Sequence, residues 1–225
     1  MKENTRKVLL WLLDLGINVA IIFGLVIVIQ TWIIAPFDVS GASMCDTLNV
    51  VGDECQSSYG EKIIINEAIF LTSDPERGDI VVFKAPSDTS KYFIKRVIGL
   101  PGEHIEIKSG EVYVQKVDSD KLEKIEENYL NKENKGKTKT YFSNMSEFDV
   151  PEDHYFVLGD NRRASTDSRS CFDGNISINC EQNPEKAYVP RGNIRGKTWI
   201  VWWPIQNARI IHHEDYNSSE SLDEK

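Results

Sequence analysis

Apolar positions are most concentrated near the N-terminus, where residues 8–34 are almost continuously hydrophobic around the segment Val19–Ile29. At 1.5 Å per residue, a helix over this run is about 40 Å long, enough to cross a ~30 Å hydrocarbon core. Asp14 and Asn18 interrupt the run, and a charge at the bilayer centre costs roughly 3 kcal/mol, so we expect Asp14 near one interface. The pattern predicts one transmembrane helix over residues 8–35.

The short flank before this helix, residues 1–7, is basic, because Lys2, Arg6 and Lys7 outnumber Glu3. Positively charged flanks stay on the cytoplasmic side of a membrane. We therefore expect residues 1–7 in the cytoplasm and the chain after Phe37 outside it, in a single-pass plasma-membrane topology.

A cleaved secretory signal is the alternative interpretation of the same run. Ser40 and Ala42 are small residues at the spacing that a cleavage site needs. The apolar run is about twice the 7–15 residues typical of a signal, which favours a retained anchor.

Beyond the anchor, short β-branched and aromatic segments alternate with turns rich in Gly, Pro and Asp. Such spacing predicts a mainly β domain of antiparallel sheets with a barrel-like core, over residues 36–115 and 150–212. The predicted strands are Lys62–Asn66, Asp79–Lys84, Phe93–Ile98, Glu111–Gln115, His154–Leu158 and Trp199–Trp203. The tryptophans of the last segment are typical either of core or of a membrane interface.

Residues 116–149 differ in composition, since Lys, Glu, Asn and Asp dominate them. We interpret them as an inserted charged subdomain, a hairpin or short helix with little to bury and no catalytic role. The acidic and polar residues 213–225 are expected to form a flexible tail.

The distribution of charges and of histidines argues against nucleic acid as a partner and against a metal site. A formal net charge of −9, with the acidic residues spread along the chain, argues against nucleic acid, because phosphate binding needs a concentrated basic face. The histidines, His104, His154, His212 and His213, have no carboxylate or cysteine at ligand spacing. We therefore expect no metal site, and no cofactor is required.

The four cysteines form two local pairs, Cys45 with Cys55 and Cys171 with Cys180, and neither has CxxC spacing. In a domain outside the cytoplasm, two short disulfide-closed loops are the natural interpretation. Four free thiols in a reducing cytosol remain the alternative.

Two segments carry residues suited to nucleophilic catalysis. Ser43 lies about nine residues beyond the apolar run, in a segment that is by itself equally typical of a surface turn. Lys95 lies in a strand-forming segment, on the face opposite Ile94 and Arg96. If that face points inward, burial lowers the lysine pKa by ~3 units, and a neutral amine can then deprotonate a serine. A lysine at a sheet edge with its head in water is the alternative.

Five blocks in order resemble bacterial type I signal peptidase, over roughly residues 8–204 with the 116–149 segment unmatched. The blocks are Ser43-Met44, Arg77–Phe83, Lys95–Gly102, Gly159–Arg162 continued by Ser165–Arg169, and Val189-Pro190 with Ile194–Lys197 and Trp203-Pro204. The resemblance implies a Ser–Lys serine endopeptidase that cleaves signal peptides from exported preproteins after a small-x-small motif.

The resemblance also implies roles for individual residues. Ser43 is similar to the nucleophile, Lys95 to the general base, and Ser165 to a serine that hydrogen-bonds and orients the lysine. Gly41 stands where some members place a serine that adds a second donor to the oxyanion hole. Ion pairs that join the active-site loops are implied for Arg96, Asp160, Asp167 and Arg169.

Substrate binding is expected by addition of an extended preprotein segment to a sheet edge. Positions that match the family's small apolar pockets are Phe37, Val39, Leu48, Val82, Phe93 and Ile94. Each is equally typical of ordinary core.

The chain departs from the family after the nucleophile, where Asp46 replaces a proline. A Cys45–Cys55 disulfide would restore the rigidity lost with that proline.

The expected partners are secreted preproteins and the lipid bilayer, beside the export machinery. A self-cleaving repressor of the same catalytic class is disfavoured, because the anchor occupies the place of its DNA-binding domain. A catalytically silent, membrane-tethered β-module that binds exported chains is the other alternative.

Overall fold

The structure is a computed structural model, and it describes residues 2–51, 54–142, 145–173, 179–214 and 216. Helix α1 covers Lys2–Trp32, and within it Arg6–Gln30 is long and apolar enough to cross a membrane. Residues 33–35, predicted as part of the anchor, already lead into a strand that begins at Ile34. Pro36 explains this early end, because the residue before a proline avoids helical backbone angles.

The rest of the described chain is mostly antiparallel β-sheet, as predicted. The strands are β1 Ile34–Ser40, β2 Val50–Val51, β3 Glu54–Cys55, β4 Tyr59–Asn66, β5 Ile80–Ala85, β6 Asp88–Gly99, β7 His104–Lys108, β8 Glu111–Gln115, β9 Leu122–Lys124, β10 Glu147–Asp149, β11 His154–Leu158, β12 Val189–Pro190, β13 Ile194–Trp203 and β14 Arg209–Ile210. A short helix α2 covers Asn179–Gln182, and 3-10 turns cover Ala68–Leu71, Ser168–Ser170, Pro184–Ala187, Arg191–Asn193 and Ile205–Asn207. Five of the six predicted strand segments lie wholly within strands, and the sixth, Asp79–Lys84, begins one residue before β5.

The main sheet has the strand order β1-β4-β13-β5-β6-β11-β12, with β14 paired to β13. A second sheet has the order β10-β7-β8-β9, and β2 pairs with β3. The barrel-like description is not confirmed, because the pairings within the described ranges run from β1 to β12 without closing.

Hydrophobic alternation places the core on both sides of the main sheet. In β4, Ile63 and Ile65 are buried, whereas all of Ile80–Phe83 in β5 is buried because this strand is central. The packing fixes β5 and β6, and with them Lys95 of β6, beside the end of β1.

The 116–149 insert differs from the expectation of a solvated segment. Ile125, Glu127, Leu130, Asn134 and Thr138 are all buried. The expectation failed because composition counts polar side chains as solvated, whereas several here are paired with polar groups of neighbouring loops.

Both local cysteine pairs form disulfides, as the extracytoplasmic interpretation predicts. Cys45 bonds Cys55, and Cys171 bonds Cys180. The first bridge ties the segment after Ser43 to β3.

The beginning of the predicted flexible tail packs on the domain. The His213 ring nitrogen lies 2.8 Å from an Asp79 carboxylate oxygen, and Tyr216 packs against a hydrophobic core cluster. Residue 215 and residues 217–225 lie outside the described part of the chain.

Candidate active site

The structure brings Ser43 and Lys95 together although 52 residues separate them. The Lys95 Nζ and Ser43 Oγ atoms are 2.7 Å apart, and the same Nζ donates to the Ile94 carbonyl at 2.7 Å. Lys95 pairs with Val81 of β5, so two strands hold its backbone. Its side chain points inward and the residue is only 3% exposed.

Burial changes the acid–base chemistry of this lysine. Desolvation lowers the pKa of Lys95 from 10.5 to about 8, although the negative charges of Asp167 and Asp160 act in the opposite direction. A substantial fraction of the amine is therefore neutral near pH 8. A neutral amine at hydrogen-bond distance from a hydroxyl can accept its proton.

The backbone around Ser43 is held by Asn161 and Asn49, for which no role was predicted. Asn161 donates from its backbone N–H to the Ser43 carbonyl at 3.1 Å and from its side chain to the Ala42 carbonyl at 3.0 Å. The fully buried Asn49 donates from Nδ2 to the Gly41 carbonyl at 3.0 Å. Gly41 itself has φ +86°, a conformation that favours glycine.

Ser165 lies next to the nucleophile's backbone. A Cβ placed on Gly159 would lie 2.1 Å from Ser165 Oγ and 2.4 Å from the Ser43 carbonyl oxygen, so both atoms crowd the same glycine. Ser165 is buried, and its hydroxyl makes no hydrogen bond of standard geometry to the described residues. The hydrogen bond to Lys95 that the resemblance implies is therefore not formed in this structure, and a role for Ser165 in orienting the lysine stays a prediction.

The four charged residues expected around the site form two fully buried ion pairs. Arg96 donates to Asp160 at 2.9 and 2.7 Å, and Arg169 donates to Asp167 at 2.8 and 2.7 Å. Burial alone would raise the pKa of Asp167, but the charge and hydrogen bonds of Arg169 outweigh it and lower that pKa. Asp167 also accepts the Gly159 N–H at 3.0 Å, which connects its ion pair to the site.

A cavity of about 580 Å³ opens beside Ser43 and Lys95. One wall is the segment from β1 to the nucleophile, and the other is residues 91–95 of β6. Five of the six predicted pocket residues line it, namely Phe37, Val39, Val82, Phe93 and Ile94. Leu48 does not, because it is fully buried in the core.

The described residues contain no group of three or more His, Cys, Asp or Glu side chains that could hold a metal ion.

The chain is similar to known proteins of one family. The family model "Signal peptidase, peptidase S26" matches residues 12–203. The chain is 33% identical to signal peptidase I of Pseudomonas fluorescens, over 92% of this chain and 78% of that protein. It is 29% identical to signal peptidase I P of Bacillus subtilis subsp. natto, over 92% and 97% of the two chains. A solved structure of a signal peptidase I from Enterococcus faecalis V583 is similar, with 29% sequence identity and a TM-score of 0.38. The match covers 56% of this chain and 97% of that chain.

Proposed function

The chain belongs to the signal peptidase family of peptidase S26, and we propose that Ser43 is the nucleophile and Lys95 the general base with which it cleaves signal peptides. One observation carries the proposal. The buried Lys95 Nζ lies 2.7 Å from the Ser43 Oγ, and its pKa is lowered to about 8.

The chemical steps follow from this pair. Neutral Lys95 takes the Ser43 proton as Oγ attacks the carbonyl carbon of the scissile amide. The resulting ammonium returns that proton to the leaving amine, and the C–N bond breaks to give an acyl-enzyme. Water, deprotonated by Lys95, then hydrolyses the ester and restores the hydroxyl.

The negative oxygen of the tetrahedral intermediate needs donors. We assign one donor to the Ser43 backbone N–H; one such donor is worth ~2.7–4 kcal/mol in other enzymes. Gly41 contributes no side-chain donor, so its role is to let the chain turn tightly at φ +86°. Ser165 is assigned to orient Lys95, and the Arg96–Asp160 and Arg169–Asp167 pairs to fix the surrounding loops.

The cavity supports an extended substrate. β1 lies at the end of the main sheet order, so a preprotein segment can add to its free edge, between β1 and residues 91–95. Phe37 and Ile94 lie on the two walls of the cavity. Small side chains fit best between such walls, which supports a small-x-small preference.

The chain is membrane-anchored, and we assign the N-terminus to the cytoplasm and the β domain to the outer side. The basic flank of α1 supports this orientation. The two disulfides support it too, because they persist in oxidising compartments. We assign three partners that are present at this location: exported preproteins, the bilayer and the export machinery.

Cleavage of a preprotein by the detergent-solubilised full-length protein tests the proposal. Ser43→Ala should abolish cleavage because, in the described part of the chain, no other hydroxyl is hydrogen-bonded to the amine. Lys95→Met should lower cleavage by roughly 10²–10⁴-fold. Lys84→Met is the matched control, since Lys84 is an exposed lysine on the neighbouring strand. Full cleavage by the Ser43→Ala variant would reject Ser43 as the nucleophile, whereas absence of cleavage by the parent protein would favour a module that only binds exported chains.

A further inference from the structure

Asn134 of the insert is a buried residue that touches both loops of the catalytic site. It is 4% exposed. Its Nδ2 donates to an Asp46 carboxylate oxygen at 3.0 Å, and its Oδ1 accepts the Arg163 backbone N–H at 3.3 Å. Asp46 comes three residues after Ser43, and Arg163 comes two residues before Ser165.

The insert holds Asp46 through more than one hydrogen bond. Asn131 donates to the same carboxylate from its backbone N–H at 2.9 Å and from its side chain at 2.6 Å. Asp46 has φ +119°, a conformation that costs a non-glycine residue of order 1–3 kcal/mol. The three hydrogen bonds offset this cost, and they fix the turn that begins at Ser43.

The other loop is held from the same segment. Tyr141 donates its hydroxyl to the Ser165 carbonyl at 2.8 Å, and Arg169 donates to the Lys139 carbonyl at 3.0 Å. The Tyr129 ring lies 3.8 Å from the guanidinium carbon of Arg96. The insert therefore contacts the loops on both sides of the dyad.

Catalysis depends on how these two loops are spaced, because a misplacement of about 1 Å can cost roughly 10²-fold in rate. Ser43 is on one loop and Ser165 on the other, and within the described residues Asn134 is hydrogen-bonded to both. Because one side-chain amide donates to Asp46 and accepts from Arg163, it sets a distance between these two partners.

We propose that the 116–149 insert is a clamp on the catalytic site, in which Asn134 is the positioning residue that fixes the Ser43 loop against the Ser165 loop. The inference rests on the proposed catalytic roles of Ser43, Lys95 and Ser165. The inference gives the insert a role in positioning the catalytic loops, which its polar composition does not predict.

The test uses full-length protein in detergent and a peptide substrate, with kcat and KM measured separately. Asn134→Asp replaces the donor with a carboxylate facing Asp46, so the two loops are pushed apart. We expect kcat to fall roughly tenfold to a hundredfold, with KM changed less than about threefold, because the clamp lies outside the substrate cavity. Asn128→Asp is the matched control, an exposed asparagine of the same insert, and should retain the kcat of the parent.

A swapped pair separates positioning from simple loss of stability. The amide introduced by Asp46→Asn can donate to the carboxylate introduced by Asn134→Asp, which removes the repulsion between two carboxylates, although the Asn131 N–H then loses its acceptor. The double variant should therefore recover kcat about threefold or more over Asn134→Asp alone. Thermal unfolding of each variant identifies any that fail to fold. If Asn134→Asp does not fold, Asn131→Ala is measured instead; it removes one hydrogen bond to Asp46 and should lower kcat about threefold or more.

The clamp is rejected if folded Asn134→Asp matches Asn128→Asp in kcat, or if the swap recovers nothing. It is also rejected if Asn131→Ala, measured in its place, leaves kcat unchanged. Ser43→Ala is run in the same assay. If Ser43→Ala is inactive and Asn134→Asp is unaffected, the clamp alone is rejected. If Ser43→Ala is fully active, the proposed catalytic role of Ser43 is rejected as well.

Discussion

At Lys95, the cost of burying an amine is what makes the side chain a base. The protonated amine is disfavoured in the folded protein, so its pKa is depressed from 10.5 to about 8. The unfolded chain binds more protons between these two values, and the folded state therefore loses stability as the pH falls from 10.5 through 8. The protein carries this penalty at neutral pH, in exchange for a group that can deprotonate Ser43.

The pH dependence of cleavage should report this titration directly. Because the neutral amine is the active form, kcat/KM should rise about tenfold per pH unit below pH 8 and level off above it. The measurement is a pH–rate profile of full-length protein with a peptide that does not itself titrate in this range. An acid limb that continues to rise up to pH 10.5 would show that Lys95 is not desolvated.

Gly159 is a second residue of the site, and the space around it has no room for a larger side chain. An added methyl group would collide with Ser165 Oγ and with the Ser43 carbonyl oxygen. Gly159→Ala should lower kcat/KM by roughly 10²-fold, since both loops must move. Gly192→Ala is the control, because no atom lies within 4 Å of its added methyl group, and it should cleave at the parent rate. Equal rates for the two variants would contradict the crowding around Gly159.

Sequence reasoning selects Ser43 and Lys95 because their segments occur together with the other family blocks, since each residue alone is equally typical of a turn or a sheet edge. Asn161 lies in one of those blocks but has no predicted role, and nothing selects Asn134, since an isolated asparagine in a polar segment is typical of any turn. Their importance lies in partners far away along the chain, such as Asp46 for Asn134.

At the scale of elements, the strands with continuous apolar or alternating residues were predictable. β1 was not, because Pro36 and Asp38 interrupt its pattern, and an edge strand tolerates both. The main sheet contains this strand because its Phe37 and Val39 still alternate toward the interior and the cavity. The neighbouring β4 supplies its hydrogen bonds.

The insert was misjudged for a different reason. Its polar composition predicts exposure, but Glu127 forms a buried ion pair with Arg162, and Thr138 accepts a hydrogen bond from the same guanidinium at 2.8 Å. Buried charges are tolerated when they are paired. Such pairing cannot be inferred from one segment's composition, because the partner belongs to another.

On the scale of the molecule, exposed apolar side chains collect on β13, the turn after it and β14. They are Trp199, Trp202, Trp203, Ile205 and Ile210, each more than 40% exposed. β13 and β1 are both neighbours of β4, and β1 leads directly from the anchor. Tryptophan is favoured at the membrane–water interface, so this surface is suited to rest on the lipid.

Replacing two of these tryptophans should separate membrane contact from chemistry. Trp202→Ser with Trp203→Ser should lower kcat/KM for a preprotein in lipid vesicles about tenfold, equivalent to ~1.4 kcal/mol, because interfacial burial is lost. Cleavage of a water-soluble peptide should not change. Val117→Ser, an exposed apolar residue of the insert, is the control and should affect neither substrate. Equal losses on both substrates would mean that the tryptophans support the fold instead.

The helix that crosses the membrane ends at Trp32, and the strand that forms one wall of the substrate cavity begins at Ile34. β1 extends for seven residues, roughly 23 Å, and Ser43 follows three residues after it. The anchor and the cavity wall are thus continuous in the chain, with only Ile33 between them. We therefore expect the enzyme to cut peptide bonds at a nearly constant distance from the membrane surface.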